Sequence, residues 1–367
     1  MNRFIVRELE TIGFRNLIEQ KVAFNPGLNV LAGPNAAGKT SVLEALVMLA
    51  DGQSFRTRSV RETVKWRSGF GRLRALVDQD GVEAELEVRI KEGVRQFLRN
   101  GTRIRSIMDY LGGLPYVLFT AEHLAIAQGP PEHRRAFIDR ALLQMYPRYL
   151  DLYRGYRKVL EQRNRLLRVH PVPEDELAAW TDSLTDLGSR LRYRRCRYVR
   201  RLAPLVHDIH HGMSPGEDVE VRYGRYEDGM DEEAFKAAMQ RGLQATAGAE
   251  RQRFITLIGP HRDDLHILLN GRKIRDYGSR GQQRSMVVSL KMAELELFKQ
   301  VTGACPILLL DDITAELDEH RCKDLMKYLK TTTQSFISTT DYGKISDLLE
   351  TAAVFRLSGG AMSLEES

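Results

Sequence analysis

Gly33-Pro34-Asn35-Ala36-Ala37-Gly38-Lys39-Thr40 satisfies the pattern Gly-x-x-x-x-Gly-Lys-[Ser/Thr], and Ser41 follows it. That pattern binds phosphate. Its glycines let successive backbone N–H groups curl around anionic oxygens, and the start of the helix behind it adds a favourable dipole. Lys39 is spaced to reach β- and γ-phosphates, and the Thr40 hydroxyl to ligate Mg²⁺. The context fits, with the apolar run Leu28 to Ala32 before the loop and a helix-forming run, Gly38 to Ala50, from its second glycine onward. A second group lies far along the chain, where Ile307-Leu308-Leu309-Leu310 runs into Asp311-Asp312. A buried strand ending in carboxylates holds Mg²⁺ in phosphate-loop proteins, which assigns Asp311 to the metal and Asp312 to polarising a water. An apolar strand with a terminal Asp is common by itself. Paired with the phosphate loop it implies ATP and Mg²⁺ as cofactors. A third group, Ser279-Arg280-Gly281-Gln282, precedes a helix predicted from Gln282. It reads either as another phosphate site at a helix start or as an ordinary N-cap.

Elements of two kinds must position these residues. Hydrophobic alternation predicts strands over Phe4 to Ile12, Arg72 to Val77 and Val82 to Ile90, the last two meeting at an Asp80-Gly81 turn. Asn100-Gly101 and Asn270-Gly271 are further hairpin turns, the second flanked by Leu265 to Leu269 and Lys273 to Arg275. Strands are also expected at Ile307 to Leu310 and near Phe336 and Val354. From about Pro131 to Gly248 the pattern is helical and rich in arginine, with breaks at His170 to Pro173 and around Gly212 to Gly216. The expected fold class is therefore α/β. Residues 1–130 and 249–367 form one domain in two sequence halves, and 131–248 form an inserted helical arm.

The arm carries Arg190, Arg192, Arg194, Arg195, Arg197, Arg200 and Arg201 in one short stretch. Leu184, Leu187, Leu191, Tyr198, Leu202 and Leu205 form an apolar stripe on the same helix. Arg154, Arg157, Lys158, Arg163, Arg165 and Arg168 load the preceding helix. A solvated hairpin with acids opposite is one reading; a track for nucleic-acid phosphates is the other. Arg194, Arg197 and Arg201 share a helical face and are the candidate DNA contacts, with Arg56 and Arg58 as a second candidate surface.

Composition sets the bounds. The chain has 367 residues, 43% hydrophobic and 28% charged, with a net charge of +6. It is long enough for one large or two ordinary domains, and its charge only raises the prior for an anionic partner. Three cysteines, Cys196, Cys305 and Cys322, show no C-x-x-C spacing, which argues against a disulfide framework or zinc ribbon. No apolar run has the ~18 residues of a membrane span, and the first residues lack a signal-peptide core, so a cytoplasmic protein is expected.

The groups occur in the order of ABC-type ATPases. Ser279-Arg280-Gly281-Gln282 resembles the Ser-Gly-Gly-Gln signature of that family, with Arg280 in place of the first glycine, and Ala315-Glu316-Leu317-Asp318 resembles its D-loop. The distance from Gln282 to Asp311 is longer than in transporters and closer to SMC-type heads, where a coiled-coil arm is inserted at the same place. Phe14-Arg15-Asn16, Gln128-Gly129 with Arg134-Arg135-Ala136-Phe137-Ile138-Asp139, and Gly259-Pro260-His261-Arg262-Asp263-Asp264 resemble segments of the RecF family. The resemblance covers nearly the whole chain and implies an ABC-type P-loop ATPase head with a short helical arm. It implies that Arg15, Asn16, Gln128 and the loop residues bind ATP, and that the signature closes the site of a second copy. It also implies double- and single-stranded DNA or their junction as substrate, and RecR/RecO-type mediator partners that promote RecA loading at gaps. For the Gly259–Asp264 segment the residues compel no chemical role, and a salt-bridge knot is the alternative. Two departures bear on rate. Asp312 stands where transporters carry Glu, and Ser338-Thr339-Thr340-Asp341 lacks a switch His. Both imply a slow hydrolase. A transporter ATPase subunit and a structural SMC-like chromosome protein are the alternatives; the arginine-rich insertion disfavours the first and its shortness the second.

Overall fold

The computed structural model describes residues 2–224, 229–312, 333–340 and 352–365. Cys322, Asp341 and the D-loop candidates Ala315 to Asp318 lie outside the described residues. The chain divides into two compact units, Met1–Leu124 with Arg284–Ser367, and Ala125–Gln283.

The first unit holds two sheets. In one, Leu28–Ala32 pairs in parallel with Ala353–Ser358 on one side and Ser335–Thr339 on the other. Ser335–Thr339 continues in parallel to Ile307–Asp311, and that strand to Tyr116–Phe119. Ala361–Leu364 closes the order as an antiparallel edge. Parallel strands are covered on both faces, so they read as unbroken apolar runs, as Ile307 to Leu310 does. Because these strands run the same way, the loop after Ala32, the acids after Leu310 and the polar end of Ser335–Thr339 emerge along one edge of the sheet, where α/β proteins place ligands.

The second sheet is built on Asn2–Ile12, which pairs antiparallel with Gln20–Ala23 and with Phe70–Gln79, and in parallel with Ala304–Cys305. Phe70–Gln79, Val82–Lys91, Val94–Arg99 and Thr102–Ile104 then form a meander. Asp80 and Gly81 sit at φ 53° and 83°, the left-handed pair that a two-residue hairpin of right-twisted strands requires. Lys39–Asp51 packs against strands of both sheets and is buried almost throughout, with Val42, Leu43, Leu46 and Leu49 without exposure. Apolar residues on every side suit a helix covered from two directions.

The second unit contains Pro131–Met145, Tyr149–Leu166, the 40-residue helix Glu174–Met213 and Glu232–Arg253. The long helix spans about 60 Å at 1.5 Å per residue. Its predicted apolar stripe faces inward, with Leu184, Leu191, Tyr198 and Leu202 buried. A three-stranded sheet joins Val219–Tyr223, Leu265–Leu269 and Arg272–Lys273. Two expectations shift here. The sequence reading returns residues from 249 onward to the head, whereas 249–283 are compact with the helices, because Leu265–Leu269 pairs antiparallel along the length of Val219–Tyr223. The strand expected over Lys273 to Arg275 ends at Lys273, and Ile274–Tyr277 is a helical turn that buries Ile274 and is closed by the Gly278 N–H on the Ile274 carbonyl.

Candidate nucleotide site

At the edge of the parallel sheet, Arg15, Asn16, Asn35, Ala36, Gly38, Lys39, Thr40, Ser41, Arg56, Asp312 and Ser338 line a cleft of about 870 Å³. That volume is in the range of small-molecule sites. Gly38 caps the helix Lys39–Asp51 at φ 115°, a conformation open to glycine and strained for other residues. Asn16 braces the loop from outside. Its amide donates to the Ala36 carbonyl at 2.8 Å and its carbonyl accepts from Ser41 Oγ at 2.8 Å. Lys39 is nearly buried and lies along the loop, with Nζ donating to the carbonyls of Gly33 at 2.7 Å and Pro34 at 2.9 Å. Burial lowers its pKa, and the charges of Asp312 and Asp311 oppose that shift.

The acids meet the loop from the adjacent strands. Thr40 Oγ1 donates to Asp311 Oδ1 at 2.9 Å, and Ser338 Oγ donates to the same oxygen at 2.7 Å. The Asp312 N–H donates to Ser338 Oγ at 2.8 Å. Burial raises the pKa of Asp311, against the hydrogen bonds from Ser338 and Thr40. Asp312 sits at φ 50°, a region Asp tolerates better than most residues, and among the described residues its buried Oδ1 has no hydrogen-bond partner. A hydroxyl and a carboxylate in contact, with an unsatisfied carboxylate oxygen beside them, are hard oxygen donors of the kind Mg²⁺ prefers. Among the described residues no cluster of three or more His, Cys, Asp or Glu could hold a metal alone.

Several residues at or behind the cleft escaped the sequence reading. Glu44, with no exposure, accepts from Arg15 Nε at 2.8 Å and Nη2 at 2.6 Å, from Arg56 Nη1 at 3.2 Å and from Ser54 Oγ at 2.5 Å. It pins two guanidiniums at the cleft. Arg56, a candidate DNA contact by sequence, thus lines the nucleotide cleft while still exposed, and Arg58 is exposed two residues further on. Arg61, Glu62 and Trp66 complete the rim, and Trp66 is 87% exposed. A lone tryptophan outside any apolar stripe was the available signal for Trp66. Ser338 was legible only as part of a segment without a switch histidine, since its contact with Asp311 follows from strand register.

The remaining candidates belong to the second unit. Ser279 caps the helix Arg280–Thr302. The Ser279 N–H donates to Gln282 Oε1 at 2.8 Å and the Gln282 N–H donates to Ser279 Oγ at 3.2 Å, a reciprocal capping box that also holds Arg280 and Gly281 in the first turn. Gln128 donates through Nε2 to Gln283 Oε1 at 2.9 Å. The arginines of the arm separate into two groups. Arg192 makes a bidentate pair with Asp263 at 2.8 and 2.7 Å, and Arg195 one with Asp139 at 2.7 and 2.8 Å while also donating to the Pro260 carbonyl. Arg134 pairs with Asp264, and Arg163 with the buried Glu250. Arg194, Arg197 and Arg201 are exposed. The Gly259–Asp264 segment is the centre of the buried group. Tyr156 Oη approaches His261 Nδ1 at 2.5 Å, and a Cβ on Gly259, at φ 146°, would lie 2.4 Å from that hydroxyl. The segment is thus a structural clasp, in line with the salt-bridge alternative.

Comparison with known proteins follows the same lines. The family model for the RecF/RecN/SMC N terminal domain matches residues 5–362. A DNA replication and repair protein RecF from Synechococcus sp. (strain JA-3-3Ab) is 38% identical over 348 residues, covering 92% of each chain. The solved structure of the recombination mediator protein RecF-ATP in the RecFOR pathway superposes with a TM-score of 0.91 at 31% identity, covering 99% of this chain and 98% of that one. An Smc head domain from Pyrococcus furiosus, at 14% identity and a TM-score of 0.58, shares the fold. With a phosphate loop, strand-end acids and a helical insertion in one α/β frame, and with matches along almost its full length, the chain belongs to the RecF family of DNA replication and repair proteins.

Proposed function

We propose that this chain is a slow Mg-ATPase that uses ATP to close a homodimer on DNA during recombinational repair. The observation that carries this reading is the convergence of Lys39, Thr40 and Asp312 on one cleft behind a glycine-rich helix start, with Asp311 hydrogen-bonded to Thr40 and an Asp312 oxygen that has no partner among the described residues. Residues Gly33 to Ser41 would cradle the phosphates, with Arg15 and Asn16 alongside and Arg56 adding positive charge. Thr40 and Asp311 would hold Mg²⁺, which supplies charge neutralisation at the β- and γ-phosphates. Asp312 would orient the attacking water. Its short side chain and the absence of a switch histidine in Ser338-Thr339-Thr340-Asp341 favour slow turnover, so ATP serves as a timer.

The head comprises the two sequence ends and the arm the inserted helices. Ser279, Arg280, Gly281 and Gln282 would meet the γ-phosphate held by the second copy, with Gln128 and the D-loop Asp318 assisting, giving two composite sites related by a two-fold axis. The exposed Arg194, Arg197 and Arg201 offer phosphate contacts without base-reading geometry, which suits sequence-tolerant binding to duplex, single strand or their junction. RecO- and RecR-type mediators that place RecA at gaps, and a cytoplasmic location, complete the reading, in keeping with the solved relative of the RecFOR pathway.

Light scattering with and without ATP, on the parent and on Asp312→Asn, tests this function together with DNA binding in ATP, ADP and no nucleotide. Asp312→Asn is expected to slow hydrolysis about a hundredfold, within the range for a lost proton-transfer group, and to accumulate dimer. An unchanged mass with ATP in both proteins, or DNA affinity indifferent to nucleotide, overturns the reading.

A further inference from the structure

We propose that Glu217 is a positioning residue for the signature turn, joining the end of the long arm helix to the side chain that caps Ser279. This rests on the reading of Ser279 to Gln282 as the loop that meets a partner's ATP. Glu217 lies in the turn after Glu174–Met213, with its N–H on the Ser214 carbonyl at 3.3 Å. Its two carboxylate oxygens serve different elements. Oε2 lies 2.8 Å from Nε2 of His210, a fully buried residue in the last turn of the long helix. Oε1 accepts from Gln282 Nε2 at 2.8 Å.

That second bond fixes which way the Gln282 amide points. A carboxylate only accepts, so the amide must present its nitrogen to Glu217 and its oxygen to the other side. The oxygen is what receives the Ser279 N–H at 2.8 Å. Ser279 Oγ in turn accepts the Gln282 N–H at 3.2 Å, which leaves its own proton to point away from the cap, where a γ-phosphate oxygen would receive it. Without Glu217 the amide is oriented by the Ser279 N–H alone, and a flip would set an N–H₂ group against that N–H. One carboxylate therefore decides whether the turn is preorganised. It also ties that turn to the helix bearing Arg194, Arg197 and Arg201, so a displacement of the helix on DNA reaches Ser279 through His210, Glu217 and Gln282.

The test uses four full-length proteins besides the parent: Glu217→Ala, Glu217→Gln, Gln282→Glu and the double exchange Glu217→Gln with Gln282→Glu. Nucleotide affinity measured by calorimetry at low protein concentration reports the phosphate loop, and Glu217→Ala is expected to match the parent there. Its ATP-driven dimerisation should weaken about tenfold, the fold-change of one hydrogen bond to a charged group. Gln282→Glu sets two carboxylates face to face and should be at least as impaired. The double exchange restores a donor at 217 and an acceptor at 282, with a glutamate that still completes the Ser-x-x-Glu cap. It should recover most of the dimerisation lost by Gln282→Glu. Parent-like dimerisation of Glu217→Ala overturns the proposal, and so does a double exchange no better than Gln282→Glu. If Glu217→Ala fails to fold, the comparison of Gln282→Glu with the double exchange decides. A parent that stays monomeric with ATP removes the signature reading itself, an outcome distinct from a dimerising parent with an indifferent Glu217.

Discussion

Two regions of this molecule are built from the same charged side chains and end in opposite states. In the clasp of the second unit, Arg195, Arg192, Arg134 and Arg163 are each matched to a carboxylate, and further donors are taken up by carbonyls and hydroxyls such as Pro260, Gly129 and Thr256. In the nucleotide cleft, Lys39 is held by loop carbonyls and Arg15 and Arg56 by Glu44, yet all three line open space, and among the described residues an Asp312 oxygen has no hydrogen-bond partner. Both regions perturb their ionisable groups, so a shifted pKa alone does not separate structure from function. Incomplete satisfaction beside a cleft does. A closed network spends its charges on rigidity, whereas an open one keeps them for a ligand.

Breaking the clasp should give the largest effect. Arg195→Ala leaves Asp139 as a buried carboxylate facing Tyr149, and loss of one partner of a buried pair costs about 3–5 kcal/mol. Urea denaturation should show the loss, and a midpoint within error of the parent would place the pair among energetically neutral contacts. The pH dependence of the clasp should come next. Burial lowers the His261 pKa from 6.5 to about 4, and the hydrogen bond to the Thr256 carbonyl fits a neutral ring protonated at Nε2. Because the folded pKa lies below the unfolded one, the unfolded chain binds more protons between them. Stability is full above pH 6.5 and falls by about 3 kcal/mol as pH drops toward 4. His261→Gln should flatten that part of the stability curve, and an unchanged slope would assign the acid limb to other groups.

The cleft should respond in the reverse manner. Lys39→Ala should leave the denaturation midpoint near that of the parent while ATP affinity by calorimetry falls about a hundredfold, the upper range for a hydrogen bond to a charged partner. Retained affinity would mean the site is elsewhere. The smallest effect on stability belongs to the exposed arginines. Replacing Arg194, Arg197 and Arg201 with Ala should move stability by less than about 0.5 kcal/mol. The log–log salt slope of duplex binding should flatten by roughly 0.9 per lost phosphate contact. ATP hydrolysis without DNA should continue. An unchanged slope would move the DNA surface to the head, where Arg56 and Arg58 are the exposed candidates.

Among the arginines of the arm, sequence spacing placed Arg194, Arg197 and Arg201 on one face and could not tell them from Arg192 and Arg195 by type. The separation depends on Asp263 and Asp139, which lie far from them in sequence. Glu44 shows the same limit at the cleft. It reads as a helix residue after the phosphate loop, and its role comes from Arg15 and Arg56 arriving on two other segments. The edge of the insertion is weakly marked in the sequence because a short strand at Val219–Tyr223 gives little local signal, while its partner at Leu265–Leu269 makes 249–283 compact with the helices.

By itself the sequence determined what is local. A phosphate loop is eight contiguous residues whose backbone geometry follows from glycine positions and a helix start. A two-residue turn such as Asp80-Gly81 is likewise set by which residues accept positive φ. The family, the α/β class and the positions of Lys39, Thr40 and Asp311 were legible for that reason. Only the tertiary structure decided which charges are consumed and which stay available: Ser338 on Asp311, Glu44 between two arginines, Glu217 between His210 and Gln282. Those pairings join side chains from separate elements. They depend on strand register and helix packing, which a hydrophobic pattern restricts to a face but does not resolve to a partner.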